Sequence, residues 1–358
     1  MNKDEIYIKE CIELAKLGEG RVSPNPLVGS VVLDKDGNVV GRGYHMKYGE
    51  AHAEVNALNQ AGKKAKDGTI YINLEPCSHF GKTPPCADRV INSGVKRVVV
   101  GMVDPNPQVA GEGLKKIQSA GIEIISGVLE GECRKLNEIF IKHITINEPF
   151  IAIKTASTID GKIATKTGSS KWITSQAARE EVQRLRNKYD AILTGSGTVI
   201  KDNPGLTCRL ENGRNPIRVI VDSELKTSPE SKAYNNDGTR IFIAASEKAE
   251  GKYPENIEII RCPLTNERKI NLRYLTGELY KKDIKSILVE AGGKLNGAYL
   301  KNNLVDKFYF FVAPKILGDN QAYSSIDSFN IENIDQCINL RFDEVKSYPP
   351  DLMIEAYI

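Results

Sequence analysis

The sequence predicts two α/β domains joined by a short linker, and three observations support that organisation. The chain has 358 residues, and because domains commonly hold about 150 residues, two domains are expected. Strand and helix patterns alternate through both halves, which favours sheets covered by helices. A linker is predicted at Asn147-Glu148-Pro149, because proline disfavours a helical conformation at the residue before it. The predicted domains are therefore residues 1–147 and 148–358.

The first half opens with an amphipathic helix that places Tyr7, Cys11, Leu14 and Ala15 on one stripe. A hairpin follows, with Asp36-Gly37 at its turn. The elements after it alternate, so a mixed sheet with helices on both faces is expected. They are a helix at Ala51–Gln60, a strand at Thr69–Leu74, a helix at Cys86–Ser93, a strand at Arg97–Met102, a helix at Gly113–Ala120, a strand at Ile122–Ser126 and a helix at Glu132–Ile144.

The second half has a second α/β pattern, with more strands than helices. Polar loops containing Gly, Asn and Pro are predicted near Thr207–Asn215 and Ser228–Gly238. The predicted elements are a strand at Phe150–Lys154, a helix at Ser175–Lys188, strands at Ala191–Thr194, Arg218–Asp222, Arg240–Ala244, Glu258–Ile260 and Ser286–Glu290, a helix at Gly297–Asn302 and a strand at Lys307–Val312.

Charge and composition exclude several classes of protein. The chain has 49 basic residues (Lys and Arg) and 46 acidic residues (Asp and Glu). The first 147 residues hold 19 basic and 18 acidic residues, and the rest of the chain holds 30 basic and 28 acidic residues. Because neither half is strongly basic, no nucleic-acid partner is indicated, and any bound anion is expected to be small. No apolar stretch reaches the ~18–20 residues of a membrane span, and the N-terminus lacks a secretory apolar region. Seven scattered cysteines do not resemble a disulfide scaffold, so a reducing cytoplasm is expected.

The first half contains a set of potential metal ligands. His52 lies at the start of a predicted helix, Cys77 follows a predicted strand, and Cys86 opens the next helix. One imidazole and two thiolates leave the fourth position of a tetrahedral zinc for water or substrate, which is typical of a catalytic site. Glu54, two residues after His52, is placed to accept a proton from zinc-bound water and deliver it to a leaving amine. This pattern is typical of hydrolytic deamination of a nucleobase.

Single His and Cys residues are more often packed in a core than bound to metal, but the combination of H-A-E, P-C and a helix-opening Cys favours zinc. Eight residues separate the two cysteines, where the general deaminase pattern has two. Within this insert, His79 is expected to line the pocket, and Lys82 is suited to a phosphorylated substrate. His79 also remains an alternative fourth ligand, which would make the zinc structural.

Four runs in this half resemble the bifunctional riboflavin-biosynthesis deaminase–reductase family: SPNPLVG (23–29), HAE (52–54), EPCSHFGKTPPC (75–86) and VDPNP (103–107). The resemblance implies a cytidine-deaminase-like three-layer α/β/α domain with zinc. It also implies that five residues face the substrate, namely Asn25, His79, Lys82, Asp104 and Asn106.

The second half has no G-x-G-x-x-G after its first strand. Glycine-bearing turns follow two strands instead, at 194–198 and 290–294, and the second precedes a helix whose N-terminus could bind a pyrophosphate. Glycine-bearing turns often have no role in ligand binding. Asp160-Gly161 could likewise be a simple hairpin turn, and Trp172 could pack in the core or cover a cofactor ring.

The resemblance continues through KTASTIDGKIAT (154–165), SSKWIT (169–174), ILTGSGTVIKDNPGLTCR (192–209), VIVDS (219–223) and VEAGGKLNG (289–297). It implies a dihydrofolate-reductase-like α/β domain that uses NADPH. The implied cofactor contacts are Ala156, Trp172, Thr198, Asp202, Ser223, Gly292, Gly293, Lys294, Leu295, Asn296, Gly297 and Ala298. The implied substrate contacts are Ser170, Arg186, Leu206, Arg209 and Glu290.

The function expected from this resemblance has two steps. Zinc hydroxide, activated by Glu54, deaminates a diaminopyrimidinone ribosylamine 5′-phosphate, and NADPH then reduces the ribosyl group to ribityl. The planar forks of Arg186 and Arg209 suit the ribose phosphate, although Arg186 could instead belong to a solvated helix face. Glu290 and Asp202 are candidate general acids for the reduction. A homo-oligomer is also expected.

Other classes of function predict different features. A single-function deaminase with a C-terminal binding module would not oxidise NADPH, and the glycine turn at 289–297 disfavours it. An editing deaminase acting on nucleic acid predicts a basic groove and usually P-C-x-x-C. A zinc-stabilised scaffold predicts a fourth protein ligand.

Overall fold

A computed structural model describes residues 1–78, 84–106, 110–327 and 329–358. The chain divides into two compact units, Met1–Asn147 (the first unit) and Glu148–Ile358 (the second unit). In the described ranges, no helix has the length and apolar character needed to cross a membrane.

The first unit contains one five-stranded sheet in the order β2-β1-β3-β4-β5. Strand β1 is antiparallel to β2 and β3, whereas β3, β4 and β5 are parallel. Helices α1 and α5 pack together on the sheet, and α2, α3 and α4 form a second contacting series. The elements are α1 Lys3–Lys16, β1 Gly29–Leu33, β2 Val39–Tyr44, α2 Ala53–Ala61, β3 Thr69–Leu74, α3 Cys86–Asn92, β4 Arg97–Met102, α4 Glu112–Ser119, β5 Glu123–Ser126, α5 Glu130–Leu136 and α6 Glu138–Ile146.

Local chemistry explains where these elements begin and end. Asn2 and Glu5 form a reciprocal capping box at the start of α1, with both backbone-to-side-chain hydrogen bonds at 2.9 Å. The predicted stripe on this helix is correct at Cys11 and Ala15, which are buried together with Ile8 and Ile12. The predicted single helix at Glu132–Ile144 is wrong, because the chain forms two helices that meet at Asn137.

The second unit contains a nine-stranded sheet in the order β11-β10-β9-β8-β12-β6-β13-β16-β15. The first seven of these strands are parallel, and β16 and β15 add an antiparallel edge. The elements are β6 Phe150–Thr158, β7 Lys162–Ala164, α7 Gln176–Lys188, β8 Ala191–Gly195, α8 Ser196–Asp202, β9 Ile217–Val221, β10 Ile241–Ser246, β11 Ile257–Cys262, α9 Leu272–Lys281, β12 Ser286–Val289, α10 Gly293–Lys301, β13 Lys307–Ala313, β14 Tyr323–Ser324, β15 Arg341–Tyr348 and β16 Asp351–Tyr357.

Several elements of the second unit differ from the sequence prediction. The last predicted helix begins earlier than expected, at Gly293 and not at Gly297, because its first turn is formed by the glycine-bearing segment. Several elements were not predicted from sequence: α8, which starts in a Ser-Gly segment, α9, the short strands β7 and β14, and the terminal hairpin of β15 and β16. Strand β15 is mostly exposed along its whole length, so it lacks the buried alternation on which strand prediction depends.

Candidate active site

The three predicted zinc ligands lie together in the first unit. His52 is the N-cap residue of α2, Cys77 lies in the loop after β3, and Cys86 is the first residue of α3. His52 Nδ1 is 3.8 Å from Cys77 Sγ and 3.3 Å from Cys86 Sγ, and the three ligand atoms all lie within 4.8 Å of one another. Zinc–sulfur and zinc–nitrogen bond lengths predict a tetrahedral edge of about 3.5 Å between such atoms. The donor set therefore fits a zinc ion.

The electrostatics of this cluster favour a metal-binding thiolate. The first backbone N–H of α3, that of Cys86, donates to Cys77 Sγ at 3.3 Å. The hydrogen bond from the Cys86 thiol, together with this N–H and His52, holds the pKa of Cys77 well below its usual range. Because metals bind thiolates and not thiols, Cys77 is prepared for coordination by its surroundings.

Glu54 lies beside this cluster in the first turn of α2. Its side chain is buried, and Oε2 has no hydrogen-bond partner among the residues that the structure describes. Burial raises the pKa of Glu54 to about 7. An unpaired buried carboxylate oxygen destabilises the fold, so its presence points to a functional role. A group that titrates near neutrality can both accept and return a proton.

A cleft with a volume of about 400 Å³ opens over the cluster. Three predicted substrate contacts, Asn25, Asp104 and Asn106, lie in its wall, whereas His79 and Lys82 fall outside the described residues. The sequence did not indicate that α6 would contribute, yet Phe140, His143 and Ile144 complete the lining. The full lining is Pro24, Asn25, Pro26, Val28, His45, Tyr48, Gly49, Glu50, His52, Glu54, Leu74, Glu75, Cys77, Asp104, Asn106, Phe140, His143 and Ile144.

His45 is a second feature of the cleft that the sequence did not reveal. Its ring lies edge-on to His52, with 5.0 Å between centroids. Nδ1 is 3.2 Å from the carbonyl of Ala51, so this nitrogen carries the proton, and Nε2 accepts from the Asn25 amide at 3.1 Å. Burial lowers the pKa of His45, which keeps the ring neutral. His45 thereby fixes which end of the Asn25 amide faces it.

Two buried amides hold the wall that carries Asn25. Asn137 accepts the N–H of Leu27 at 2.8 Å and donates to its carbonyl at 3.0 Å. Asn73, at the end of β3, donates to the same carbonyl at 3.0 Å and accepts from Gly29 at 2.7 Å. Segment 25–29 is thus fixed through its backbone, which leaves the side chain of Asn25 to face the cleft.

In the second unit, most of the predicted site residues lie along one edge of the sheet. Strands β9, β8, β12 and β6 are neighbours and parallel, so their carboxyl ends share an edge. Ser223 follows β9, Thr198 and Asp202 lie in α8 after β8, and Glu290 follows β12. Crevices at the carboxyl ends of parallel strands are the usual ligand sites of open α/β sheets.

A buried charge cluster lies at this edge. Arg186 donates to Glu290 through Nε at 2.7 Å and Nη2 at 3.0 Å, and its Nη1 donates to the carbonyl of Thr207 at 3.0 Å. The guanidinium predicted to bind phosphate is engaged with these protein groups, and its role in binding stays a prediction. The alternative of a solvated helix face is wrong, because the side chain of Arg186 is only 14% exposed. Lys154 Nζ, which the sequence did not single out although it opens the run at 154–165, lies 3.6 Å from Glu290.

Glu290 is a poor candidate for a general acid. Burial raises its pKa, but the charges of Arg186 and Lys154 outweigh this effect and lower it to about 2. The carboxyl is consequently ionised at neutral pH and has no proton to give. Burial lowers the pKa of Lys154, so Lys154 is the better proton donor of the cluster.

The predicted cofactor turn forms the start of α10, with Gly292 as its N-cap. Lys294 is exposed, and Gly292, Leu295 and Ala298 are partly exposed. The other three residues pack inward: a Cβ on Gly293 or Gly297 would lie 2.3 or 2.0 Å from the carbonyl oxygens of Ser324 and Asp327, and the Asn296 amide donates to Ala291 and Ser325.

The remaining predicted contacts differ in their exposure to solvent. Trp172 is exposed, with the Arg179 guanidinium 4.4 Å from its ring centroid, so it does not pack in the core. Arg209 is exposed and Leu206 is buried, whereas Ser170 and Ala156 are partly buried. Asp160-Gly161 forms the turn between β6 and β7, with Gly161 at φ 78°. The roles of the contact residues in binding stay predictions.

Comparisons with known proteins agree with both units. A family profile described as the cytidine and deoxycytidylate deaminase zinc-binding region matches residues 1–102, and one described as the RibD C-terminal domain matches residues 149–354. The riboflavin biosynthesis protein RibD of Bacillus amyloliquefaciens is 41% identical over 357 residues, covering 99% of this chain and 96% of that protein. That of Escherichia coli K12 is 40% identical over 365 residues, covering 98% of each.

A crystal structure of a diaminohydroxyphosphoribosylaminopyrimidine deaminase/5-amino-6-(5-phosphoribosylamino)uracil reductase from Thermotoga maritima is similar throughout. It has a TM-score of 0.89 and 41% identity, and the match covers 99% of this chain and 98% of that one. A zinc-type deaminase fold followed by a reductase fold defines a bifunctional deaminase–reductase. The chain belongs to the RibD family of riboflavin biosynthesis proteins. The family and cofactors predicted from sequence, zinc and NADPH, are confirmed.

Proposed function

We propose that residues 1–147 deaminate 2,5-diamino-6-ribosylamino-4(3H)-pyrimidinone 5′-phosphate and that residues 148–358 then reduce its ribosyl group with NADPH. The observation that carries the proposal is the cluster of His52, Cys77 and Cys86 beside Glu54 in a cleft of about 400 Å³. The Thermotoga maritima relative, whose name states both activities, supports the choice of substrate.

In the deamination, water adds at C2 of the pyrimidinone, the bond from C2 to its amino nitrogen breaks, and ammonia leaves. A bound zinc ion supplies Lewis acidity, which makes water available as a nucleophile at neutral pH. Glu54 Oε2 takes the proton of the attacking water and returns it to the departing nitrogen, because it is buried, unpaired in the described chain and near its pKa at neutrality. Asn25, Asp104 and Asn106 hold the ring from the cleft wall.

In the reduction, the C1′=N bond of the ring-opened imine gains a hydride at C1′ and a proton at nitrogen. NADPH supplies the hydride when it is bound and leaves as NADP⁺. Lys154 Nζ donates the proton, since burial lowers its pKa, while Glu290 stays ionised and holds this ammonium in place. The exposed guanidinium of Arg209 meets the 5′-phosphate, and the start of α10 meets the cofactor phosphates.

The location and assembly of the protein belong to the same proposal. Seven scattered cysteines, without the density of a disulfide scaffold, support a reducing cytoplasm. We also propose a homo-oligomer, which sedimentation of the purified protein would test.

The deaminase step is tested by following ammonia release and NADPH absorbance together in wild type and Glu54→Gln. Wild type releases ammonia and then consumes NADPH, whereas the variant does neither from this substrate. Supplying the variant with the deaminated intermediate restores NADPH consumption, without ammonia release. Glu13→Gln, an exposed change on α1, serves as the matched control. Ammonia release by Glu54→Gln at the wild-type rate would contradict the role of Glu54, and no ammonia from zinc-loaded wild type would contradict the substrate.

The reductase step is tested with Lys154→Met, supplied with the deaminated intermediate. Loss of a general acid lowers the rate by about 10²–10⁴-fold, while ammonia release from the first substrate is unchanged. Lys166→Met, at an exposed position, controls for loss of a positive charge. A change in KM for NADPH with an unaltered rate of hydride transfer would make Lys154 a binding residue and not the proton donor.

A further inference from the structure

Glu75 is a buried carboxylate that none of the steps above uses. It follows β3 directly, precedes the zinc ligand Cys77 by two residues, and is only 3% exposed. Its two oxygens accept four backbone N–H groups. Oε2 accepts from Asp104 at 3.0 Å and from Gly111 at 3.0 Å, and Oε1 accepts from Gly113 at 2.9 Å and from Leu114 at 3.3 Å.

These four donors belong to two segments that the carboxylate joins. Asp104 lies in the cleft wall just after β4, and its own Oδ1 accepts the N–H of Asn106 at 2.9 Å. Gly111 is the N-cap of α4, and Gly113 and Leu114 lie in its first turn. Because Gly111 has no side chain to cap the helix, Glu75 supplies the acceptors that the free N–H groups need. Its negative charge also suits the positive end of the helix.

The start of α4 packs tightly against the segment that carries Glu75. A Cβ on Gly113 would lie 2.1 Å from the carbonyl oxygen of Pro76 and 3.1 Å from Glu75 Oε1. The start of α4 therefore rests directly on the backbone between Glu75 and Cys77. The chain joins the zinc ligand Cys77 to Glu75 through Pro76, and hydrogen bonds join Glu75 to Asp104 and Asp104 to Asn106.

We infer that Glu75 is a positioning residue of the deaminase, which fixes the Asp104–Asn106 wall of the cleft relative to the zinc ligands and so sets the affinity for substrate. The inference rests on the proposed function of this cleft. Glu75 contacts backbone N–H groups, and it affects substrate binding indirectly, through the position of Asp104 and Asn106.

The variant Glu75→Gln tests this inference because it keeps the volume and replaces one acceptor oxygen by an NH₂ group. That group faces two of the four N–H donors and cannot accept from them. The KM of deamination is expected to rise about tenfold or more, while kcat changes by less than about threefold and zinc content is unchanged. Glu112→Gln, on the same helix but exposed and paired with Lys115, is the matched control and keeps the wild-type KM.

Gly113→Ala gives an independent test that leaves the carboxylate intact. Its methyl group would displace α4 from Pro76 and Glu75, so it is expected to raise KM in the same way, even if Glu75→Gln fails to fold. Hydrogen exchange measured by mass spectrometry provides a readout that needs no substrate. Amides of Asp104, Gly111, Gly113 and Leu114 should exchange faster in both variants, whereas those of β3 and β4 should not change.

An unchanged KM together with faster exchange would overturn the inference, since the wall would then move without affecting substrate. The inference would also be overturned if the variants lost bound zinc, had a lower kcat and showed faster hydrogen exchange in β3, because Glu75 would then support the fold as a whole. If the wild type itself releases no ammonia, the proposed substrate is wrong, and the exchange pattern alone decides whether Glu75 holds the wall.

Discussion

Arg186 and Glu290 lie 104 positions apart in the chain and form a two-point ion pair, with Nε–Oε1 at 2.7 Å and Nη2–Oε2 at 3.0 Å. Their side chains are 14% and 11% exposed, so removal of either partner leaves a buried charge. We expect Arg186→Leu to lower the free energy of unfolding of the second unit by about 3–5 kcal/mol. The fluorescence of Trp172, the only tryptophan, reports on this unit during urea unfolding.

Arg184→Leu is the matched control for this prediction. Arg184 lies on the same helix, but its side chain is 63% exposed and pairs with Glu181. Although Glu181 is only 13% exposed, the Arg184 end of the pair is open to solvent, which weakens the ion pair by screening, so this change should have the smaller effect. Equal losses from both variants would contradict a special role for the buried pair.

The same pair predicts a pH dependence of stability. Burial raises the pKa of Glu290, but Arg186 and Lys154 lower it to about 2, below the value of about 4.3 for an unfolded chain. Its ionised form therefore stabilises the fold fully above about pH 4.3, and this contribution is lost as the pH falls through about 2. The difference in unfolding free energy between wild type and Glu290→Gln should shrink over that interval, and a difference independent of pH would exclude this linkage.

Removal of zinc should separate the two activities. We expect a chelator, or Cys77→Ser, to abolish ammonia release, because a serine hydroxyl is a far weaker zinc ligand than a thiolate. NADPH oxidation with the deaminated intermediate should persist, since the Arg186–Glu290–Lys154 cluster contains no metal ligand of this set. Metal analysis and the two assays check this. Cys337→Ser, at an exposed cysteine, should retain zinc, and loss of NADPH oxidation after chelation would contradict the separation.

The amide that holds Leu27 gives a fourth prediction. Asn137→Ala removes two hydrogen bonds to the backbone of Leu27, at a cost of about 1–3 kcal/mol for the N–H group left buried. We expect a higher KM for deamination, because Asn25 lies on the released segment. Asn59→Ala, an exposed amide that accepts from Arg89, should behave as wild type. Calorimetry and deaminase kinetics check both variants, and an unchanged KM for Asn137→Ala would show that segment 25–29 holds its position without this amide.

The sequence predicted features whose cause is local. Thr69–Leu74 and Arg97–Met102 form strands with the predicted bounds, because each is a short run rich in β-branched and other apolar residues. The zinc ligands could also be predicted from sequence, since His52 precedes a helix, Cys77 follows a strand and Cys86 opens a helix. The break between α5 and α6 at Asn137 could not be predicted from sequence. It depends on a hydrogen bond between the side chain of Asn137 and Leu27, which is 110 residues away.

Roles that depend on distant partners could not be predicted. A phosphate contact of Arg186 stays a prediction, but nothing near Arg186 in the chain indicates Glu290 as its ion-pair partner. Lys154 and Glu75 both lie within runs that carried the family resemblance, but a pattern of residue types does not show which backbone groups a carboxylate reaches. His45 gave no signal, because its neutral, hydrogen-bonded state depends on Asn25 and Ala51.

The glycines of α10 have a consequence for how the second unit responds to ligands. At Gly293 and Gly297 the helix backbone rests directly on the backbone of Ser324 and Asp327. Side chains can absorb a displacement by changing rotamer, but two main chains in contact cannot. We therefore expect the first turn of α10 and segment 324–327 to move together, so that a ligand that displaces one would displace both.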